Sequence, residues 1–335
     1  MKKQWLMASL LAGILGMGTA HAQATKPVEL TFSTYLPPAY EYIYKPAENF
    51  LKAVEAESNG RIKVNIFHSG QLFGGYDELA ALSRGDIDIT NMTGTYPGGT
   101  VPALNIFTMP FMFDDVPHLQ RALDEGLMDL GINKELFEDH NTVVLGVAPL
   151  DPYEFYSRNT PILTADDFKG KVWASTGASD ARALQLLGGS PTMMASGDLY
   201  LSFDRGVIDG TPRPLITGIG RSLYEVSKYL SLATFAFDTS ILSMNRDKWE
   251  ALPEDIQAIF REQAKKRDAE QFERVSRYVE EALAKFEAEG MQIDRITPEN
   301  LQAMRDITAP AVEEWSKEVP NAQAYLDLIA RTKAP

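Results

Sequence analysis

Cysteine is missing from all 335 residues. That excludes disulfide staples, thiolate nucleophiles, thiolate zinc sites and iron–sulfur clusters. Histidine is scarce, with only His21, His68, His118 and His140. The chain also lacks a GxSxG elbow, a phosphate loop, a GxGxxG turn and an HExxH helix, so none of the common catalytic signatures is written in it. Positive charge is in deficit: 32 Lys and Arg stand against 46 Asp and Glu, a formal charge of −14. Such a surface repels phosphate backbones and argues against nucleic acid as a partner. Beyond residue 22 no apolar run reaches the roughly 20 residues that cross a bilayer.

What is present suits a packed, exported protein. Apolar residues make up 44% of the chain and charged ones 23%, enough for one large core or two modest ones. Lys2 and Lys3 precede the apolar stretch WLMASLLAGILGMG, which runs into Ala20-His21-Ala22. A basic start, an apolar middle and a small-x-small end spell a secretory signal peptide at 1–22, cleaved after Ala22. The mature chain is then expected in the periplasm. Without Lys2 and Lys3 the 32 basic residues fall to 30, and the charge to −16.

Along the chain the hydrophobic period switches repeatedly. VELTFST (28–34) alternates as a strand, and Pro46 to Asn59 carries Phe50, Leu51 and Val54 at helical spacing before the Asn59-Gly60 stop. RIKVNIF (61–67) alternates again. YDELAALSRG (76–85) forms a short helix, and DIDIT (86–90) returns as a strand. This alternation predicts an α/β architecture with largely parallel pairing.

Two longer-range features bear on organisation. ALSRGDIDI (81–89) is echoed by LSFDRGVIDG (201–210), 121 residues on from Arg84 to Arg205. The echo is either a coincidence of helix-to-strand turns or the mark of two similar lobes. The segment 254–289 keeps one face apolar through Ile256, Phe260, Ala264, Val275, Ala282 and Phe286. As a helix it spans roughly 54 Å, so it either dimerises or braces two lobes; lacking a strict 3.5-residue period, it reads as a strut.

Chemistry-bearing residues are sparse. No histidine has a second one near it, and His118 and His140, at a helix start and a helix end, read as ordinary surface residues. The acid pairs Asp86/Asp88 and Asp114/Asp115 read as turn formers or caps before general acids. An exported, acidic, two-lobed chain without a catalytic constellation suggests a solute-binding protein.

Six stretches, in order, carry a family resemblance: FLKAVEAESNGRIKVNIFHSGQLFGG (50–75), ALSRGDIDI (81–89), MPFMF (109–113), TADDFKGKVWAS (164–175), LLGGSPTMMASGDLYLSFDRGVIDG (186–210) and SMNRDKWEALPEDIQ (243–257). On these the chain resembles the substrate-binding subunits of tripartite ATP-independent periplasmic (TRAP) transporters, the dicarboxylate-binding (DctP) type. The resemblance implies a two-lobe periplasmic solute-binding fold of α/β class, with hinge strands and a long helix spanning both lobes. Lobe I would comprise 27–150 plus 239–278, and lobe II 151–238 plus part of 279–335. It further implies a small-molecule ligand, TRAP membrane permease subunits as partners, no cofactor or metal and no enzymatic activity. A monomer is expected.

Departures from the family pattern steer the expected ligand. Where the family carries a carboxylate-clamping Arg on the strand after the D-x-KG-K turn, this chain has Trp173, and Glu154 falls near a second basic position. A carboxylate about 4 Å from Glu154 would be repelled by on the order of 4 kcal/mol at an effective dielectric of 20. An ammonium facing Trp173 would gain about 0.5–2 kcal/mol of cation–π energy. With Tyr153, Phe155 and Tyr156 nearby, these residues favour an amine, an amino alcohol or a zwitterion. The competing reading makes Trp173 a core residue and points Glu154 at solvent. Arg213 stands in a stretch, Asp209 to Pro214, that usually offers a neutral amide to the cleft; it could bind a carboxylate and restore an organic-acid ligand, or pair with Glu154 or Asp238. Asp238, at the lobe crossing, is either an ammonium partner or a turn residue. Tyr96 and Glu41 fall on loops expected at the cleft rim. A periplasmic hydrolase and a structural or adhesive protein are the alternative classes.

Overall fold

In the computed structural model, residues 26–334 are described; the expected signal peptide, 1–22, and its cleavage site lie outside them. The strands gather into two sheets. The first runs β2 (Ile62–Phe67), β1 (Val28–Ser33), β3 (Ile89–Thr93), β10 (Thr239–Asn245), β4 (Thr142–Pro149). The second runs β7 (Ser190–Met193), β6 (Val172–Ser175), β8 (Gly210–Pro214), β5 (Tyr153–Ser157), β9 (Tyr229–Ala236), β11 (Gln292–Arg295).

The pairing is mixed rather than largely parallel. β1 is parallel to β2 and β3, and β6 to β7 and β8, but β10 and β5 are antiparallel to both of their neighbours. The reason is the chain path. It crosses from the first sheet to the second between β4 and β5, and returns between β9 and β10, so each sheet receives a strand running the other way. Reading across, β2-β1-β3-β10-β4 matches β7-β6-β8-β5-β9 in order and direction.

The sequence echo sits at matching places in the two sheets. Gly85 and Gly206, at φ 79° and 69°, end their helices in the left-handed region that glycine adopts without Cβ cost. The Asp88 carboxylate then accepts the Thr31 N–H at 2.7 Å, and Asp209 accepts the Val172 N–H at 2.8 Å. The Asp88 and Asp209 carbonyls accept the N–H groups of Asn245 and Arg158, both at 2.9 Å. The turn uses Asp86–Asp88, so β3 begins at Ile89, later than the alternation suggested. The first helix likewise starts at Glu41, with Pro46 inside it.

The long helix, Glu254–Ala288, has 35 residues and measures about 52 Å. Ile256, Phe260 and Ala264 pack into the first lobe with Phe32, Phe50 and Val54, and Ala282 and Phe286 pack into the second with Tyr156 and Leu230. It is a strut. At its middle the buried Arg267 donates to the Asn91 side chain at 2.8 Å and to Ser240, and Gln271 donates to the Pro149 carbonyl at 3.1 Å, tying the helix to strands at the crossing. After β11, helix Pro298–Glu318 packs on helix Ala178–Leu186 of the second lobe, and helix Ala322–Arg331 returns to the first. His118 is central to that return. It is fully buried, unlike the surface histidine expected, accepting the Asp114 N–H at 3.1 Å and bonding the Ile329 carbonyl at 2.9 Å.

Candidate functional site

The crossings place the C-terminal ends of β1, β3, β6 and β8 around one interlobe cleft, the usual location for ligands in open α/β sheets. From the first lobe and the crossings come Tyr35, Tyr40, Thr93, Tyr96, Leu150 and Asp238; from the second come Tyr153, Thr176, Ser196, Arg213, Pro214 and Thr217. Four of the eight residues expected in the site therefore meet here: Arg213, Asp238, Tyr153 and Tyr96.

The lobes are closed. Tyr96 accepts the Ser196 N–H at 3.0 Å, Tyr76 donates to the Thr176 carbonyl at 2.9 Å, Tyr40 donates to Thr217 Oγ1 at 3.1 Å, and Thr108 and Ser179 share a hydroxyl bond of 2.6 Å. Between the walls remains a cavity of about 20 Å³, room for about one water molecule.

Arg213 projects from β8, a strand that is buried throughout, and is 2% exposed. Its guanidinium donates only to carbonyls: Pro212 at 2.9 Å, Ser175 at 3.2 Å and Met194 at 2.9 Å. Its Nε is buried with no partner, and no carboxylate of the described residues forms a salt bridge with it. Asp180 is close enough to feel the charge but spends its oxygens on the Thr176 and Gly177 amides, both at 2.7 Å. Thr176, beside Arg213 on the same wall, also has a buried hydroxyl without a partner. A buried cation lacking a counter-charge is costly, and its planar fork suits a carboxylate.

Asp238 lies between β9 and β10. Its carboxylate accepts the Thr239 N–H at 2.7 Å, the Thr95 N–H at 3.2 Å and the Tyr153 hydroxyl at 3.2 Å. Burial outweighs these bonds and pushes its carboxyl up to about 7. The other crossing carries Asp151, which accepts the Tyr42 hydroxyl and the Leu215 N–H, and burial pushes it up to about 7 as well.

The remaining four lie elsewhere. Trp173 is fully buried in the second-lobe core, stacked on Phe168 at 4.7 Å and edge-on to Phe155 at 5.9 Å. It fits there because Gly189 and Gly210 leave it a slot: a Cβ on either would meet the indole at 2.6 and 2.5 Å. Phe155 belongs to the same cluster. Glu154 does not point at solvent or into the cleft. Its Oε2 accepts the Ala233 and Thr234 N–H groups, holding a bulge in β9 where the register jumps and Thr234 takes a positive φ. It borders a separate hollow with Arg295 and Arg305, none of whose walls the cleft cavity shares. Burial raises its carboxyl to about 8. Glu41 is exposed at the start of its helix and does not line the cavity. The cation-binding pair inferred from Trp173 and Glu154 is thus corrected: neither side chain reaches the cleft.

Sequence reasoning missed Tyr35, Tyr40 and Thr176. All three follow the ends of β1 and β6, and the strand-end rule would have found them. Among the described residues no group of acids and histidines is placed to hold a metal ion, and no helix is long and apolar enough to cross a membrane.

Two α/β lobes, joined by crossing strands and closed over a polar cavity, define a solute-binding protein. The model of the bacterial extracellular solute-binding protein family 7 (DctP) matches residues 32–318, and the chain belongs to that family, the binding subunits of TRAP transporters. Among its relatives, the sialic acid-binding periplasmic protein SiaP of Vibrio cholerae is 25% identical, covering 82% of this chain and 85% of its own. The ectoine-binding periplasmic protein TeaA of Halomonas elongata is also 25% identical, over 83% and 82%. The TRAP solute-binding protein of Chromohalobacter salexigens with bound D-glucuronate superposes with a TM-score of 0.85 at 24% identity, over 91% of this chain and 100% of that one.

Proposed function

We propose that this protein captures a small organic carboxylate in the interlobe cleft, in the periplasm, and delivers it to the permease subunits of a TRAP transporter. One observation carries the reading: Arg213 is a buried cation on the cavity wall with no anionic partner of its own. A ligand carboxylate supplies the missing counter-charge and an acceptor for Nε. Asp238 does not oppose this at neutral pH, because its raised pKa leaves a large share of it protonated. Sialic acid and D-glucuronate, bound by the relatives above, are carboxylates too. One chain encloses the whole cavity, which supports a monomer as the binding unit.

Closure follows from the lobe-bridging bonds. A ligand held by Arg213 from the second lobe and faced by Tyr35 and Tyr96 from the first contacts both walls only when they meet, so binding shifts the population toward the closed state. The test is a thermal-shift screen of ligand-stripped protein against organic acids and amines. Acids are expected to raise Tm in the wild type and not in Arg213→Gln. Amines that raise Tm equally in both proteins would overturn the reading.

A further inference from the structure

The strand that carries Arg213 is weakly held where Arg213 stands. Pro212 and Pro214 flank it and have no N–H to give the sheet, and β6 pairs with β8 only at Gly210. The chain nevertheless brings Arg213, Pro214 and Thr217 to the cavity wall. What fixes this segment is a side chain outside the cavity. Asp151, fully buried at the β4–β5 crossing, accepts on one carboxylate oxygen the Leu215 N–H and, at 3.3 Å, the Ile216 N–H. It thereby caps the helix Leu215–Gly220, which follows directly on β8. Its other oxygen accepts the hydroxyl of Tyr42, from the first-lobe helix Glu41–Glu57, and its own N–H donates back to that hydroxyl oxygen at 3.0 Å. Tyr40, two residues earlier, grips the same second-lobe helix directly. Its hydroxyl donates to Thr217 at 3.1 Å, and its ring lies where a Cβ on Gly220 would meet it at 2.5 Å.

The other crossing repeats the pattern with the lobes exchanged. Asp238 takes the amides of Thr95 and Thr239 from the first lobe and the Tyr153 hydroxyl from the second. Each crossing thus holds one buried aspartate that joins a tyrosine hydroxyl of one lobe to backbone amides of the other. We infer that Asp151 is a positioning residue for ligand binding: through it, Tyr42 of the first lobe sets the place of the second-lobe segment Arg213–Thr217. Asp151 touches no ligand and acts through Arg213 and Thr217, which face the cavity. The inference rests on the carboxylate reading for what Arg213 holds; the link from Tyr42 to Leu215 does not. Because the two oxygens serve opposite lobes, cutting the Tyr42 bond leaves the amide bonds possible but frees the segment to shift against the first-lobe wall.

The experiment compares the full mature chain with its Tyr42→Phe, Asp151→Asn and Tyr278→Phe variants. Tyr278 is the control: its ring packs on Tyr42 at 4.8 Å, and its hydroxyl has no partner among the described residues. Amide hydrogen exchange is followed on ligand-stripped protein, and binding of D-glucuronate and of succinate by titration calorimetry. In Tyr42→Phe, which alters no second-lobe residue, exchange over 211–221 is expected to rise at least tenfold while 239–245, in the first-lobe sheet, stays unchanged. Asp151→Asn leaves one oxygen for three donors and is expected to raise it further. Both are expected to weaken binding of either acid at least threefold, and Tyr278→Phe to change neither measurement. If Tyr42→Phe lowers Tm while 211–221 exchanges as in the wild type, Asp151 merely fills the crossing and the inference is overturned. Faster exchange with unchanged acid affinity, or equal effects in Tyr278→Phe, would overturn it too. If neither acid binds the wild type, the carboxylate reading fails for these acids, and the exchange result alone decides whether Asp151 holds the segment.

Discussion

Tyr96 of the first lobe accepts the backbone N–H of Ser196 of the second at 3.0 Å, across the mouth of the cleft. The tyrosine is held for this task. Its ring lies edge-on to Tyr35 at 4.9 Å and to Tyr76 at 4.6 Å, and Gly75 packs so close that a Cβ there would strike it. In Tyr96→Phe the ring packing survives and the bond is lost, leaving a buried amide unpaired in the closed state only. A hydrogen bond of this kind is worth about 0.5–1.5 kcal/mol, so ligand affinity should fall about two- to tenfold. Calorimetric Kd values for wild type and variant check this, and an unchanged Tm without ligand would place the effect on closure rather than on folding.

Trp173 gives the opposite kind of expectation. It is enclosed by Phe155, Phe168 and two glycines, so Trp173→Ala should remove about 3–5 kcal/mol of stability, as for other large-to-small changes at buried aromatic sites. Trp173→Arg, which restores the residue type of the family pattern, should be worse, because it puts an unpaired charge in the same apolar slot. Urea unfolding of both variants measures this. A Trp173→Arg protein of wild-type stability that binds acids more tightly would show that the strand can turn residue 173 to the cleft.

The raised carboxyl of Glu154 makes a pH prediction for stability. A carboxyl with a folded pKa of about 8, above its value near 4.3 when unfolded, binds more protons folded than unfolded between those limits. Its contribution is therefore fully present below about pH 4 and is lost as pH rises through 8. The slope approaches on the order of 1.4 kcal/mol per pH unit in the middle of that window. Glu154→Gln keeps an acceptor for the Ala233 and Thr234 amides without the titration. Chemical denaturation at intervals from pH 5 to 9 should show a decline in the wild type that is shallower in the variant.

Asp238 predicts a pH dependence for binding. Burial holds its carboxyl near 7, and it lines the cavity with Arg213. As pH rises through 7 its lost proton adds a negative charge near the bound acid, so carboxylate affinity should weaken from pH 6 to 8.5. Asp238→Asn should flatten the dependence, as titration calorimetry at each pH would show. An affinity that strengthens with pH in the wild type would mean that the ionised carboxylate faces a cationic group of the ligand.

How legible the molecule was depends on how local each cause is. The long strut was readable because one apolar face persists through 35 residues. The mixed sheets were not, since a strand's direction is set by where the chain crosses between lobes, and alternation says nothing of that. For Trp173 the decisive residues are Gly189 and Gly210, remote in sequence, whose missing side chains make the slot. Glu154 was misplaced because its role depends on a bulge in β9, which no pattern in 228–236 marks. Arg213 was singled out from the stretch it occupies, yet its lack of a carboxylate partner depends on Asp180, remote in the chain, spending its oxygens on the Thr176 and Gly177 amides while the guanidinium donates to three carbonyls.

The Arg-Gly echo is the part of the sequence whose meaning was most local, and it yields the last prediction. Gly85 and Gly206 both hold φ near +70 to +80°, followed by an aspartate that binds the matching strand of its lobe, β1 or β6. A Cβ at Gly85 would make only an ordinary contact, with Asn245 Nδ2 at 3.8 Å, so Gly85→Ala should cost only the left-handed strain, about 1–2 kcal/mol. At Gly206 the Cβ would meet Arg158 Nη1, the mobile end of a long side chain that can swing away. Gly206→Ala should therefore cost about the same, despite the closer contact. Equal losses of unfolding free energy in the two variants would mark the turns as energetic equivalents. A much larger loss at Gly206 would mean that the half-buried Arg158, bonded at 3.4 Å to the Asp204 carbonyl, cannot swing away and holds its lobe in place.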